Sequence, residues 1–238
     1  GVKSFRPFPK TVTKQCVFEH IYFSRPDSYL FGHSVYSVRK LMGKALAIEK
    51  PVEADVVVPV PDSGVISAMG YSEEAEIPFQ MGLIRNHYVG RTFIEPQSQI
   101  RNFGVKIKLN AVKPVIEGKR VIIIDDSIVR GTTSKKIVRM LREVGAKEVH
   151  VRISSPPTTH SCFYGIDTPT KGELIASNMD IDQTREYLGA DSLHYITLEK
   201  MLEIFGEKKD DFCAACFDGR YPVDVTGADG STNQLDLF

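Results

Sequence analysis

Residues 121–134 read VIIIDDSIVRGTTS, and these residue types at this spacing specify a chemistry before any fold is assumed. Four β-branched residues run straight into two adjacent carboxylates, Asp125 and Asp126. Ser127, Arg130 and Gly131 follow in a short loop, and Thr132, Thr133 and Ser134 open the next segment. A helix N-terminus presents free N–H groups and the positive end of a dipole, a ready site for phosphate. Gly131 lets the backbone approach such an anion closely, and the three hydroxyls add donors. Carboxylates one loop-width away can accept hydrogen bonds from sugar hydroxyls or help hold Mg2+. Together these features describe a phosphorylated sugar, its phosphate on the loop and its hydroxyls on the acids. A Thr-Ser helix cap would account for the hydroxyls alone. It would not account for paired acids behind an apolar run with Arg-Gly before the cap. The loop is not a P-loop, because no Gly-Lys-Ser/Thr ends it.

Three further groups carry chemistry. Pro59-Val60-Pro61-Asp62-Ser63-Gly64 follows the apolar run Val56-Val57-Val58. Two prolines stiffen this turn, and Gly64 starts a helix with free N–H groups, so it reads as a second anion site or as a capped strand-to-helix turn. Residues 85–101, RNHYVGRTFIEPQSQIR, hold three arginines with little periodicity. They read as a long loop, and long loops in compact domains are usually functional or disordered. The four cysteines are Cys16, Cys162, Cys213 and Cys216, the last two forming a C-x-x-C. In a reducing compartment this set reads as a metal or cluster site or as free thiols rather than disulfides. Spacing alone does not separate Zn2+ from an iron–sulfur cluster.

Positioning these groups requires alternating strands and helices. The patterning predicts helices over 34–50, 134–144 and 193–205, and strands over 56–60, 77–84, 121–124 and 148–154. That alternation argues for an α/β fold with a mostly parallel sheet flanked by helices. In such sheets ligands bind at the carboxyl ends of the strands, where the Asp125 and Pro61 turns both fall. The chain has 238 residues, 42% of them hydrophobic, and 30 basic against 30 acidic side chains. That length suits one large domain with its own core. Zero net charge argues against a broad nucleic-acid surface while leaving room for a local anion site. No apolar run is long enough to span a membrane, and the first residues lack a signal-peptide core, so a cytoplasmic location is expected. Residues 1–15 read as a linker, 16–227 as the domain and 228–238 as a flexible tail.

The motif at 121–134 resembles the phosphoribosyl pyrophosphate (PRPP) loop of type I phosphoribosyltransferases. Several other stretches narrow the resemblance to the amidophosphoribosyltransferase family, in its iron–sulfur-bearing group. They are Cys16-Val17-Phe18-Glu19, Tyr22-Phe23-Ser24-Arg25-Pro26-Asp27-Ser28, the Val58–Gly64 turn, Asn86-His87-Tyr88-Val89-Gly90-Arg91-Thr92-Phe93-Ile94, and Phe163-Tyr164-Gly165-Ile166-Asp167. The resemblance implies a type I phosphoribosyltransferase fold. It also implies an enzyme making 5-phosphoribosylamine and pyrophosphate from PRPP and ammonia, the first step of purine nucleotide synthesis. It assigns Asp62, Ser63 and Gly64 to pyrophosphate, and Ser127, Arg130, Gly131, Thr132, Thr133 and Ser134 to the 5-phosphate. Asp125 and Asp126 fall to the ribose, and Ser63, Asp125 and Asp126 to Mg2+. Arg85, Tyr88 and Arg91 become catalytic residues of a lid that closes over PRPP. Histidine stands at 87, where the family commonly has arginine. Cys16, Cys162, Cys213 and Cys216 match the positions that hold a structural [4Fe–4S] cluster. The family's glutaminase half, with its N-terminal cysteine nucleophile, has no counterpart here, so that domain is an expected partner in a longer enzyme. Purine nucleotide feedback inhibitors and a homotetramer are further implications. The alternatives are a base-using phosphoribosyltransferase, or a non-catalytic regulatory module that binds PRPP or a nucleotide. Catalytic pyrophosphate release rather than stoichiometric binding separates them.

Overall fold

Four short runs with buried apolar positions form the sheet on which everything else rests. The computed structural model describes residues 2–5, 7, 10–86 and 109–225. In chain order the elements are strands β1 (Gln15–Cys16), β2 (Tyr29–Leu30) and β3 (His33–Ser34), helix α1 (Val35–Glu49), β4 (Val56–Pro59), α2 (Val65–Ala75), β5 (Leu83–Arg85) and β6 (Leu109–Ala111). There follow α3 (Lys113–Ile116), β7 (Arg120–Asp125), α4 (Thr132–Glu143), β8 (Glu148–Ile153), α5 (Ile175–Asn178), α6 (Ile181–Leu188), β9 (Ser192–Tyr195), α7 (Leu198–Glu203), β10 (Phe212–Cys213) and α8 (Ala215–Asp218). The central sheet has the order β4-β7-β8-β9, and every pairing in it is parallel.

The period of two along each strand sorts side chains onto two cores. Val56, Val58, Val121, Ile123, Val149 and Val151 face Ile137, Val138 and Leu141 of α4 and Leu188 of α6. Val57, Ile122 and Ile124 face Val38, Met42 and Leu46 of α1 and Ala68 and Tyr71 of α2. Burying each of these large aliphatic side chains stabilises by about 1.5–3 kcal/mol. The expected α/β architecture is therefore present, with helices on both faces of a parallel sheet.

The elements depart from the sequence reading in four places. The helix expected over 193–205 is two elements, because buried Leu193 and Tyr195 alternate with half-buried Ser192 and His194 and extend the sheet as β9. The helix begins only after Thr197, whose hydroxyl caps it by accepting from the Lys200 N–H at 3.3 Å. The strand expected over 77–84 is divided as well. Phe79 makes an isolated parallel bridge to Val57, and Leu83, Ile84 and Arg85 pair antiparallel with β6. Finally, α4 starts two residues earlier than expected, at Thr132. Gln15, expected in the linker, belongs to β1, which pairs parallel with β10 and sets Cys16 beside Cys213. The tail at 228–238 lies outside the described residues.

Candidate active site

The β7 strand delivers Asp125 and Asp126 to the carboxyl edge of the sheet. The Asp125 carboxylate turns back to accept from the Asp126 N–H at 2.9 Å. The Ser127 hydroxyl donates to Asp126 at 2.5 Å. Burial pushes the Asp125 carboxyl well above the usual carboxylate range, and the adjacent charge of Asp126 and its hydrogen bond push the same way. A hydrogen bond from Ser63 works in the opposite direction. Asp125 keeps part of its surface accessible at the rim, although its carboxyl lies deep among protein atoms. Asp126 is buried. Burial lowers the pKa of Arg39, in α1, and the charge of Asp126 partly offsets that.

Ser63 belongs to the turn after β4, and that turn packs against the end of β7, so the two expected anion turns lie side by side. The close fit has a steric basis. A Cβ at Gly64 would stand 2.2 Å from the Ile124 carbonyl oxygen, which leaves glycine as the residue that fits. The Val60 N–H donates to the same oxygen at 2.8 Å. The Pro61–Asp62 peptide bond is cis. Asp62 pairs with Arg85 at 2.6 Å, both side chains being about half exposed or more. Arg85 thus sits at a strand end rather than in a loop, and it faces the turn.

The N-terminus of α4 is open. Gly131 is its N-cap at φ 73°, and no side chain caps the helix. The first N–H groups therefore keep no internal partner, and the hydroxyls of Thr132, Thr133 and Ser134 are not spent on capping. Thr132 and Thr133 are exposed, whereas Ser134 is buried, so its hydroxyl is the least open of the three. Arg130 does not lie free beside this terminus. Its Nη2 donates to Glu173 Oε1 at 3.0 Å and its Nε at 3.2 Å.

The four cysteines line one cavity of about 680 Å³ together with Tyr164 and Tyr221. None of its lining residues belongs to the loop of Asp125 and Arg130. All four cysteines are unpaired. Burial raises the Cys216 thiol, and the charges of Cys16, Cys213 and Cys162 add to that. Burial likewise raises Cys16. Among the described residues no group of three or more His, Cys, Asp or Glu side chains is arranged to hold a metal ion.

Residues 33–154 match the family model described as the phosphoribosyl transferase domain. The chain belongs to this family. The match contains both turns. The phosphoribosyltransferase chain is also 58% identical, over 95% of its length, to amidophosphoribosyltransferase 2, chloroplastic, of Arabidopsis thaliana. It is 54% identical over 94% of its length to the amidophosphoribosyltransferase of Bacillus subtilis. Among solved structures it resembles a B. subtilis glutamine PRPP amidotransferase complexed with ADP and GMP, with a TM-score of 0.86, 53% identity and 94% of this chain covered. The chain spans 40% and 48% of the two curated relatives and 50% of the solved one.

Of the sequence-derived site residues, the structure brings together Asp62 with Arg85, and Asp125 with Asp126 and Ser127, and it packs Gly64 against the end of β7. Gly131, Thr132, Thr133 and Ser134 form the open helix start. Tyr88 and Arg91, and His87 with them, lie outside the described residues. Sequence reading missed Glu173, Ile175 and Tyr187. A Cβ on Gly131 would lie 2.7 Å from the Ile175 side chain and 3.3 Å from the Tyr187 ring, so these residues back the phosphoribosyltransferase loop. Nothing in their local sequence marks them, because they act through a loop more than forty positions earlier.

Proposed function

We propose that this domain transfers the phosphoribosyl group of PRPP to ammonia, giving 5-phosphoribosylamine and pyrophosphate. The observation that carries this reading is the close packing of the Val60–Gly64 turn on the end of β7, where Val60 N–H donates to the Ile124 carbonyl at 2.8 Å and Gly64 leaves no room for a Cβ, which sets two anion-type turns beside one pair of carboxylates. Two anion sites flanking sugar-binding acids suit a sugar with a phosphate at one end and a pyrophosphate at the other. The names of the relatives support the choice of ammonia over a purine or pyrimidine base.

Each residue then has a task. The N–H groups at the start of α4, with Arg130 and Gly131, hold the 5-phosphate, and that remote binding energy positions C1. Asp125 and Asp126 accept from the ribose hydroxyls. The turn of Asp62, Ser63 and Gly64 holds the pyrophosphate, with Arg85 at its edge and Tyr88 and Arg91 assigned to closure. The ammonia lone pair attacks C1, the C1–O bond to pyrophosphate breaks with its electron pair, C1 inverts, and the nitrogen loses a proton to solvent. When bound, Mg2+ neutralises charge on the leaving pyrophosphate. Ser63, Asp125 and Asp126 would hold it, and so few protein oxygens fit an ion that keeps waters and shares substrate phosphates.

We assign Cys16, Cys162, Cys213 and Cys216 to a structural [4Fe–4S] cluster. Four unpaired thiols lining one cavity supply the ligand number such a cluster needs, and the sequence resemblance favours the cluster over zinc. Purine nucleotide inhibitors, a glutaminase domain that supplies ammonia and a tetrameric assembly are proposed from the relatives' names and the sequence resemblance. The cytoplasm remains the proposed compartment, while the plant relatives are named chloroplastic. Among the described residues no helix is long and apolar enough to cross a membrane.

The test is pyrophosphate release from PRPP with ammonium and Mg2+ at mildly alkaline pH. We expect turnover with ammonium and none with glutamine for this chain alone. Combining Asp125→Asn with Asp126→Asn should abolish turnover, and full activity in that double variant refutes the assignment. Stoichiometric PRPP binding without pyrophosphate release would favour a regulatory module instead.

A further inference from the structure

We propose that Glu173 is a positioning residue for the 5-phosphate of PRPP, acting by holding the Arg130 guanidinium in its binding orientation. The proposal rests on the PRPP reading above and adds a residue outside the recognised motif.

The contact is asymmetric. Glu173 Oε1 accepts from both Nε and Nη2 of Arg130, at 3.2 and 3.0 Å. Glu173 Oε2 accepts from the Thr170 N–H at 3.2 Å and the Thr170 hydroxyl at 3.0 Å. One oxygen anchors the carboxylate to its own turn, and the other grips one edge of the guanidinium. The Nη1 edge of Arg130 is left for an anion, and a planar fork presented edge-on suits phosphate.

The turn carrying Glu173 is itself fixed to the loop. The Ile175 N–H donates to the Val129 carbonyl at 2.9 Å. The Ile175 side chain, 6% exposed, covers Gly131. Residues 170–175 therefore brace the loop from Val129 to Gly131 at three points: backbone, apolar contact and ion pair. The ion pair is about half exposed on both sides, and such pairs add little to stability. Its consequence is orientation. A long, rotamer-rich arginine is ordered before the phosphate arrives, so less freedom is lost on binding.

The test uses the full 238-residue chain with ribose 5-phosphate, inorganic pyrophosphate and Mg2+-PRPP as probes. Glu173→Ala should weaken ribose 5-phosphate binding and raise KM for PRPP about fivefold, with kcat within about twofold. Pyrophosphate binding should not change. Glu173 also closes the capping box of its own turn, so a purely structural effect has to be separated. In an Arg130→Ala background, Glu173→Ala should add no further loss, because the residue acts through Arg130. Unchanged ribose 5-phosphate binding in Glu173→Ala overturns the proposal. So does an equal loss in the Arg130→Ala background, or an equal loss of pyrophosphate affinity. If the unaltered chain neither binds ribose 5-phosphate nor releases pyrophosphate from PRPP, the function itself fails, and this inference with it.

Discussion

His20 shows how much of the molecule's pH behaviour is set residue by residue. It has no accessible surface, and neither ring nitrogen has a hydrogen-bond partner. The rings of Phe31, His33, Phe205 and Phe212 surround it, and Arg39 donates to its carbonyl at 2.8 Å. Burial lowers its pKa to about 4, and the nearby charges of His33 and Arg39 add to that. The folded pKa lies below the unfolded value of about 6.5. Its contribution is therefore fully present above pH 6.5 and is lost as pH falls toward about 4. Burial also lowers His150 and His194, so the acid limb has several sources. His20→Phe should flatten part of that limb, read as a smaller fall in Tm between pH 6.5 and 4.5. An unchanged limb would exclude His20 as a contributor. None of this was legible in the sequence, where His20 is one of six histidines. Asp125 and Asp126 were legible because adjacent acids behind an apolar strand have few other uses. Glu173 was not, because its role exists only across space.

At the scale of elements, α4 combines two separable tasks. Its inner face holds the sheet through Ile137, Val138 and Leu141, and its open first turn is the proposed phosphate site. Leu141 has no accessible surface. Leu141→Ala should cost about 2–5 kcal/mol through the cavity it leaves and leave KM for PRPP near its original value. Thr133 is exposed and makes no capping bond. Thr133→Ala should change stability by no more than about 0.5 kcal/mol while raising KM for PRPP. Thermal unfolding and steady-state kinetics on the same two variants check both statements, and a reversed pattern would break the division. Elements with one dominant period were legible: α1, β4, β7, β8 and most of α4. The stretch at 193–205 was not, since Leu193 and Tyr195 serve a strand while Leu198 and Met201 serve a helix. A single helical periodicity laid over both blurred the boundary at Ile196 and Thr197. Helix α6 escaped notice because only Thr184 and Leu188 are buried on it.

For the whole molecule, the cysteine cavity is the most distributed feature. Its walls come from residues near 11–19, 162–168 and 213–223. We expect anaerobically purified protein to contain about four irons and four sulfides per chain with visible absorbance, as a four-thiolate cluster requires. Stoichiometric zinc without iron would sink that assignment. Cys216→Ser should lose the iron. The sequence showed four thiols and one C-x-x-C, but their convergence depends on the pairing of β1 with β10, two strands of two residues each that carry no detectable pattern.

That pairing sets an order of events. Cys16 and Cys213 are register partners about 200 positions apart, and the Val17 N–H extends the pairing to the Cys213 carbonyl. Closing a chain segment of that length costs roughly 5 kcal/mol of conformational entropy. Two-residue strands return little of it, so this contact forms late, after the parallel sheet has shortened the distance for it. Any group bound by both cysteines acts as a cross-link between distant stretches of chain, limiting the unfolded ensemble as a disulfide would. Without that group, residues 15–17 should be among the first to open, and their amides should lose hydrogen-exchange protection before those of β7 and β8 do.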